Sequence, residues 1–475
     1  MCLAGGERRY GACFAAYGAS LYYGWELEGQ LTMRPNAKLM QAALTGALGG
    51  LLYGFDTVVI SGIIDTIQGL YHLGAVARGF TMAASPVGAI AGCFAAGVIG
   101  QRLGTRTALR YAAALYLFAT LGAALSLGWP MLLAARFAGG FAVGAASVLG
   151  PVYIAELSPA QWRGRLVGAF QINVVSGILV GFTSNYLVHL ANLGAVEWRI
   201  MVVLPALPAL IFLILLFRIP LSPRWSASRN QIDEALKVLS LVGAPDPKAE
   251  LADIQSALQA EHAKVHEPVL QRKYWYPLFL AIAIGAFNQF TGINAILSNS
   301  VTIFSAAGFG QLSSYGQSIA IGATNLIFTL VGMTMIDKFG RKSLLIVGAI
   351  GTALCLSGVA WTLNTHSHQA ALLPLLVTFI AFFALSQGLV VFVYIGEVFP
   401  NAVRSKGQGV GNASLSAINT TILFTFPILA HHFSAGTPFV FFAAATVVQL
   451  IVVALFFPET KGQTLEQLQR KLMRA

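Results

Sequence analysis

The feature that most constrains this chain is the recurrence of long apolar stretches, which we call runs. Crossing about 30 Å of hydrocarbon takes about 20 mostly apolar helical residues. Twelve such runs occur, at approximately 39–62, 80–100, 108–127, 131–154, 166–190, 200–217, 277–306, 315–336, 344–363, 371–395, 407–430 and 438–457. A soluble domain carries about a quarter charged residues, whereas only 10% of this chain is charged. We therefore predict an all-α membrane protein with 12 transmembrane helices.

The polar residues divide the twelve runs into two groups of six. The longest polar interruption contains two segments with helical periodicity, 232–242 and 251–263. We predict an N-terminal cytosolic segment, a six-helix half, a cytosolic helical linker, a second six-helix half and a cytosolic tail, at 1–38, 39–217, 218–276, 277–457 and 458–475. The sequence leaves two alternatives for the first residue of the native protein. It is either Met1, or Met33, in which case residues 1–32 do not belong to the native protein.

The distribution of Lys and Arg predicts how the chain is oriented. A formal net charge of +11 also fits a nucleic-acid partner. The placement of the Lys and Arg residues distinguishes that alternative from a membrane explanation of the charge. With a cytosolic amino terminus, 26 of the 29 Lys and Arg residues fall on the cytosolic side, and the exceptions are Arg78, Arg136 and Arg199. Cytoplasmic loops collect Lys and Arg in this way. We expect both termini in the cytosol, an inner-membrane location in a lipid bilayer, and no nucleic-acid partner.

An internal repeat relates the two groups of runs. Val152-Tyr-Ile-Ala-Glu156 followed by Arg163 recurs as Val393-Tyr-Ile-Gly-Glu397 followed by Arg404, with the same spacing from Glu to Arg. A duplicated six-helix unit is typical of secondary transporters, which bind their substrate between the halves. The chain shows no catalytic constellation, and its four cysteines lack the paired spacing of metal sites. We therefore expect neither an enzyme nor a cofactor or metal site.

Several motifs in one order resemble the sugar porter family of the major facilitator superfamily. They are Pro159-Ala-Gln-Trp-Arg163-Gly, Pro220-Leu-Ser-Pro-Arg224, Asn288-Gln-Phe-Thr-Gly-Ile-Asn294, Asp337-Lys-Phe-Gly-Arg341-Lys and Pro458-Glu-Thr-Lys-Gly462. The resemblance, which extends to bacterial proton-coupled symporters, implies the major facilitator fold and transport of a monosaccharide (hexose, pentose or related polyol) by alternating access. The chain departs from the family pattern at Gln101, Leu221, Asn288, Leu389, Phe392 and Ser416.

Amide side chains inside apolar runs are candidates for binding a neutral sugar. Gln and Asn both donate and accept hydrogen bonds without carrying a net charge. The amides in question are Gln171, Asn288, Gln289, Asn294 and Asn325. The resemblance implies a sugar site for all of these except Asn288, and it puts Phe392 where the family often stacks an aromatic ring on the substrate. The alternatives are helix-to-helix hydrogen bonds for the amides and simple packing for Phe392.

One acidic and one basic residue, Asp56 and Arg136, lie well inside the runs. Both lie about 9 Å from the same side at ~1.5 Å per residue, so we expect them to pair. A carboxylate at that depth costs ~2.5–3.5 kcal/mol unless it is paired or protonated, which makes Asp56 a candidate proton site. The resemblance implies sugar:proton symport through this pair. A structural ion pair in an uncoupled facilitator is the alternative, and a non-transporting sugar sensor is a more remote one.

Charged residues at the predicted cytosolic helix ends form a candidate gate. They are Glu156, Arg163, Asp337, Arg341, Glu397 and Arg404. Opposite charges there can bridge the two halves when the cytosolic side closes, and surface ion pairs of ~0–1 kcal/mol each are weak enough to reopen. The alternative is a set of solvated loop charges. We expect the chain to function as a monomer, and the sequence leaves the identity of the sugar and the stoichiometry open.

Overall fold

The structure is a computed structural model of the chain, and it describes residues 36–263, 270–400 and 403–461. All regular secondary structure in these ranges is helical. Twelve helical segments there, which we number span 1 to span 12, are long and apolar enough to cross a membrane: Ala37–Leu70, Ala75–Leu103, Thr105–Ala124, Trp129–Leu157, Trp162–Leu190, Gly194–Leu216, Arg272–Ser298, Gln311–Ile336, Arg341–Thr365, Gln369–Glu397, Lys406–His432 and Thr437–Phe456. The prediction of twelve membrane helices is confirmed. Residues 1–35 and 462–475 lie outside the described residues.

The described residues between spans 6 and 7 contain three short helices, Pro223–Ser228, Ile232–Leu241 and Pro247–Ala263. The first begins with a capping Ser222, whose side chain accepts a hydrogen bond from the Trp225 backbone N–H at 3.1 Å. Apolar residues of the three helices form their own small core, with Ala227, Ala235, Leu239 and Leu251 buried. The sequence predicted the second and third of these helices. The first has no apolar periodicity and is marked only by its Ser-Pro start.

Spans 2 and 4 pack with their backbones in close contact. A Cβ atom added at Gly88 or Gly92 would lie only 2.1 or 2.0 Å from the carbonyl oxygens of Phe137 and Phe141. Gly140 of span 4 approaches span 2 in the same way. Small residues permit this close approach between membrane helices. The contact fixes the position of Arg136 relative to span 2.

Spans 7 and 10 are discontinuous. Span 7 is interrupted between Trp275–Phe290 and Ile293–Ser298, where Gly292 has φ of 78°. Span 10 is interrupted at Ser386, between Leu372–Leu385 and Gln387–Glu397. The runs of the sequence did not show either interruption. Secondary transporters build substrate sites from broken helices of this kind, and both breaks lie beside the polar residues described next.

Candidate functional site

Asp56 of span 1 and Arg136 of span 4 form a buried ion pair. Arg136 Nη1 donates to Asp56 Oδ1 at 3.1 Å, and the two side chains are 6% (Arg136) and 11% (Asp56) exposed. Ser85 of span 2 donates to Oδ2, and the Tyr116 hydroxyl of span 3 donates to Oδ1 at 3.4 Å. A buried carboxylate is tolerated when it is paired and hydrogen-bonded in this way. Donors from three spans therefore hold one carboxylate of a fourth span.

The sequence predicted the pairing of Asp56 with Arg136 but missed Ser85 and Tyr116. Both missed residues belong to types that occur commonly in apolar helices, where their hydroxyls usually bond to the backbone of the same helix. Their place beside Asp56 depends on how spans 2 and 3 rotate against span 1. The sequence alone carries no signal for that rotation.

A cavity lies beside the ion pair and is lined by both groups of spans. Asp56 and Arg136 line it from one side, and Asn294, Ser298 and Asn419 line it from the other. Asn419 is 9% exposed, and its Oδ1 has no hydrogen-bond partner among the described residues. Leaving a buried acceptor unpaired costs ~1–3 kcal/mol. The cavity thus presents an acceptor that a ligand hydroxyl could satisfy.

A chain of amide hydrogen bonds leads from this cavity into the second group of spans. Asn294 Nδ2 donates to Gln289 Oε1 at 2.9 Å, and Gln289 Nε2 donates to Asn288 Oδ1 at 2.9 Å. Asn288 Nδ2 in turn donates to the Gln387 carbonyl oxygen at 3.3 Å. Gln289 and Asn288 are 3% and 5% exposed, so they lie behind Asn294. Because span 7 breaks between Gln289 and Asn294, residues five positions apart meet.

Two further amides extend this network and were missed. The Gln387 side chain of span 10 donates to Gln449 Oε1 of span 12 at 2.8 Å, and both residues are buried. Each is an amide within an apolar run, so the criterion that selected Gln289 would also have found them. They connect the break in span 10 to span 12.

The other predicted substrate residues lie elsewhere. Gln171 is partly buried, Asn325 is 5% exposed and Phe392 is 50% exposed. Within the part of the chain that the structure describes, none of these three lines the cavity beside Asp56. The structure therefore brings Asn294 to the ion pair and leaves Gln171, Asn325 and Phe392 outside its lining.

The end of the bundle that carries the linker, which we call the linker end, also carries the predicted gate residues. Arg341 Nη2 bonds to Glu397 Oε1 at 3.0 Å, and Thr105 Oγ1 donates to Glu156 Oε2 at 3.0 Å. Each of these two bonds joins residues of the same group of six spans. Arg163 is exposed. The side chains of Asp337 and Arg404 lie outside the described residues.

Glu459 fastens the segment after span 12 to the start of span 9. Its carboxylate accepts the backbone N–H groups of Arg341 at 2.9 Å and Lys342 at 3.0 Å, and also those of Thr460 and Lys461. Burial raises the pKa of Glu459, but these four N–H groups lower it further than burial raises it, so the pKa lies below its ordinary value. The positive dipole end at the start of span 9 also stabilises the ionised form of Glu459.

At the opposite end, which we call the distal end, the two groups of spans touch through polar contacts. The Tyr315 hydroxyl of span 8 donates to the Gly62 carbonyl oxygen of span 1 at 2.7 Å. Thr302, just after span 7, donates to Asp65 Oδ2 at 2.9 Å and accepts from Arg78 Nη2 at 3.0 Å. Arg78 also pairs with Asp65 at 2.7 Å. The distal end is therefore closed by bonds between the two groups.

Comparison with known proteins assigns this architecture. Residues 42–472 match the family described as sugar (and other) transporter. The putative metabolite transport protein YfiG of Bacillus subtilis (strain 168) is 34% identical over 456 residues, which cover 93% of each chain. The D-xylose-proton symporter of Escherichia coli (strain K12) is 32% identical over 475 residues, covering 92% of this chain and 96% of the symporter.

A solved structure shows the same arrangement of helices. It is described as the inward open conformation of the xylose transporter XylE from E. coli, and it matches with a TM-score of 0.81 at 30% sequence identity. The match covers 91% of this chain and 99% of that one. The family match, the relatives and the twelve apolar helices agree, so the chain is a multi-pass membrane transport protein and belongs to the sugar porter family of the major facilitator superfamily.

Proposed function

We propose that the chain carries a monosaccharide across the inner membrane together with a proton, by alternating access, with both termini in the cytosol. One observation carries this proposal: a single cavity is lined by the paired carboxylate of Asp56 and by the amides of Asn294 and Asn419. A neutral polyol needs amides that donate and accept, and a coupled proton needs a group that can bind and release it. The similarity to the D-xylose-proton symporter of Escherichia coli supports both parts.

For the sugar, we assign direct contacts to Asn419 and Asn294. The unpartnered Oδ1 of Asn419 accepts a sugar hydroxyl, and Asn294 offers its amide at the end of the hydrogen-bonded chain. Gln289 and Asn288 orient Asn294 from behind. We retain Gln171, Asn325 and Phe392 as substrate residues for conformations in which the halves are arranged differently.

For the proton, Asp56 is the binding group and Arg136 is its counter-charge. Both oxygens of Asp56 accept hydrogen bonds here, from Ser85, Tyr116 and Arg136, which is the arrangement of an ionised carboxylate. Ser85 and Tyr116 can turn their hydroxyls to accept from a protonated carboxyl, but the Arg136 guanidinium can only donate. Protonation of Asp56 therefore removes the charge that Arg136 pairs with and weakens the contact between spans 1 and 4, which links the proton to the movement of the halves.

The two ends of the bundle support an inward-facing state. The distal end is closed by Tyr315 and Thr302 across the halves, whereas Glu397 and Glu156 bond within their own halves at the linker end. The solved structure with a TM-score of 0.81 is described as inward open. In the opposite state, the cytosolic gate of Glu156, Arg163, Asp337, Arg341, Glu397 and Arg404 would bridge the halves.

Uptake of labelled sugars into proteoliposomes tests this function. D-xylose, other pentoses, hexoses and inositol are compared with and without an inward proton gradient. We expect one sugar to accumulate above its equilibrium level and to lose this accumulation when an uncoupler is added. Uptake that never exceeds equilibrium and ignores the uncoupler would instead identify an uncoupled facilitator.

The variant Asp56→Asn separates coupling from carriage. The amide keeps the size of the side chain but cannot exchange a proton. Accumulation of the sugar should therefore fall to the equilibrium level, while exchange of labelled sugar between equal concentrations on the two sides of the membrane survives in part. Asp233→Asn, an exposed change in the linker, is the matched control. Expression must be checked, because Arg136 loses its counter-charge. An Asp56→Asn protein that still concentrates sugar would reduce Asp56 and Arg136 to a structural ion pair.

A further inference from the structure

A second cavity lies at the linker end, away from the substrate cavity. It has a volume of about 260 Å³ and forms where the start of span 1, the end of span 6 and the linker helix Ile232–Leu241 meet. A water molecule in the liquid takes up ~30 Å³, so this cavity has room for several waters. That space admits a hydrated phosphate group.

The charged groups around this cavity are mostly basic. Lys38 of span 1, Arg218 after span 6 and Lys237 of the linker helix line it, together with the single acid Glu234. Three cations from three separate elements face one anion, so the cavity has an excess of positive charge. Each of the three cations is exposed at the surface, so an anionic group can reach them from the solvent or from the membrane interface.

The backbone adds to this positive character. Span 1 begins at Ala37, and its cap Asn36 accepts the Lys38 backbone N–H at 3.0 Å while donating to the Leu241 carbonyl oxygen at 3.0 Å. The start of span 1 is thereby held against the linker helix, with its positive dipole end at the cavity. Arg106 of span 3 lies behind the wall, where it donates to the Ile219 carbonyl oxygen at 2.9 Å.

The apolar surface beside the cavity indicates what kind of anion fits. Phe217 lines the cavity and is 64% exposed. From it, exposed residues continue along span 6 at helical spacing, one turn after another: Ile214, Ile211, Leu210 and Leu207. This stripe runs from the basic cavity toward the middle of span 6. A ligand that used both features would carry an anionic headgroup and acyl chains.

We propose that this cavity binds the headgroup of an anionic phospholipid whose acyl chains lie along the exposed stripe of span 6. Lys38, Arg218 and Lys237 hold the phosphate, because basic residues near a membrane surface attract anionic headgroups. Because its contacts belong to span 1, span 6 and the linker helix, the bound lipid clamps the linker to the first half. In the orientation proposed above, the lipid belongs to the cytosolic leaflet.

Thermal unfolding and native mass spectrometry of the full chain in detergent test this site. Phosphatidylglycerol is compared with phosphatidylcholine of the same acyl chains, and inorganic phosphate is a third arm. We expect phosphatidylglycerol to raise the melting temperature and to remain bound through detergent removal, with several-fold weaker retention of phosphatidylcholine. This comparison uses the unaltered protein, so it stands even if a variant fails to fold.

Matched variants then locate the site. Lys38→Gln with Lys237→Gln should lower phosphatidylglycerol retention several-fold, whereas Arg165→Gln with Lys248→Gln, which removes two exposed cations elsewhere at the linker end, should leave it unchanged. Equal retention of the two lipids by the unaltered protein, or full retention by the first variant, would overturn the proposal. Stabilisation by inorganic phosphate alone would show a soluble-anion site and overturn the lipid assignment. Sugar uptake is not the readout, so the proposed function stands or falls separately.

Discussion

At the scale of single residues, Gln289 bonds to two other amides without itself lining the cavity beside Asp56. Its Oε1 accepts from Asn294 and its Nε2 donates to Asn288, each at 2.9 Å. We expect Gln289→Ala to leave membrane insertion intact and to weaken sugar affinity at least several-fold. The reason is that Asn294 loses the bond that orients it, and a neutral hydrogen bond is worth ~0.5–1.5 kcal/mol. Equilibrium binding of the labelled sugar measures the effect.

The control for this variant is Gln311→Ala, which removes an exposed amide at the start of span 8. Its affinity should equal that of the unaltered protein. If Gln289→Ala stays monodisperse and binds the preferred sugar as tightly as the control, the amide chain of span 7 has no part in the site.

The residues of the site differ in how far the sequence could predict them. Asp56 and Arg136 were predictable as partners, because charges are so costly in hydrocarbon that two at equal depth must meet. Gln387 and Gln449 were predictable by the same criterion as Gln289, because each is an amide within an apolar run. Ser85 carried none, since a serine in an apolar helix satisfies its own hydroxyl within that helix and its distance from Asp56 depends on packing between spans.

At the scale of elements, the twelve spans were predictable and their interruptions were not. Hydrocarbon thickness imposes a length on every apolar helix, so the sixth run at 200–217 ends within one residue of span 6, Gly194–Leu216. A break leaves the apolar composition unchanged, and glycine is common in intact membrane helices. The composition around Gly292 and Ser386 therefore did not predict a break in either helix. The breaks at Gly292 and Ser386 depend on how each residue packs against the neighbouring helices, which the sequence does not show.

The break in span 7 gives a prediction about Gly292. Its φ of 78° lies in the left-handed region, and a Cβ there would lie 2.2 Å from the Phe442 ring. The left-handed conformation alone costs a non-glycine residue ~1–2 kcal/mol, and the ring would have to move as well. We expect Gly292→Ala to lower the melting temperature in detergent and to reduce transport several-fold.

Gly97→Ala is the matched control for this prediction. Gly97 lies in the helical interior of span 2, and a Cβ at this position meets nothing within 4 Å. Alanine is the better helix former by ~1 kcal/mol, so this variant should be at least as stable as the unaltered protein. Equal melting temperatures for the two variants would show that the break does not need glycine.

At the scale of the whole molecule, transport depends on which end of the bundle is closed. The Tyr315 hydroxyl bonds to the Gly62 carbonyl oxygen across the halves at 2.7 Å, while the Tyr276 hydroxyl bonds to the Phe456 carbonyl oxygen within one half. Both are tyrosine-to-backbone bonds, but only the first must break when the distal end opens. A comparison of Tyr315 with Tyr276 therefore tests whether the bond across the halves stabilises the closed distal end.

We expect Tyr315→Phe to raise the population open at the distal end and Tyr276→Phe to leave it unchanged. The lost bond stabilises the closed distal end by ~0.5–1.5 kcal/mol, and since ~1.4 kcal/mol corresponds to tenfold, the ratio of the two states should shift between two- and tenfold. Distances between spin labels placed at the distal ends of spans 1 and 8 report the two populations directly. Because a ligand shifts such an equilibrium only by its differential affinity, a sugar that prefers the distal-open state should also bind Tyr315→Phe more tightly. Identical distance distributions in the two tyrosine variants would mean that the closed distal end is held by the Arg78, Asp65 and Thr302 contacts without help from Tyr315.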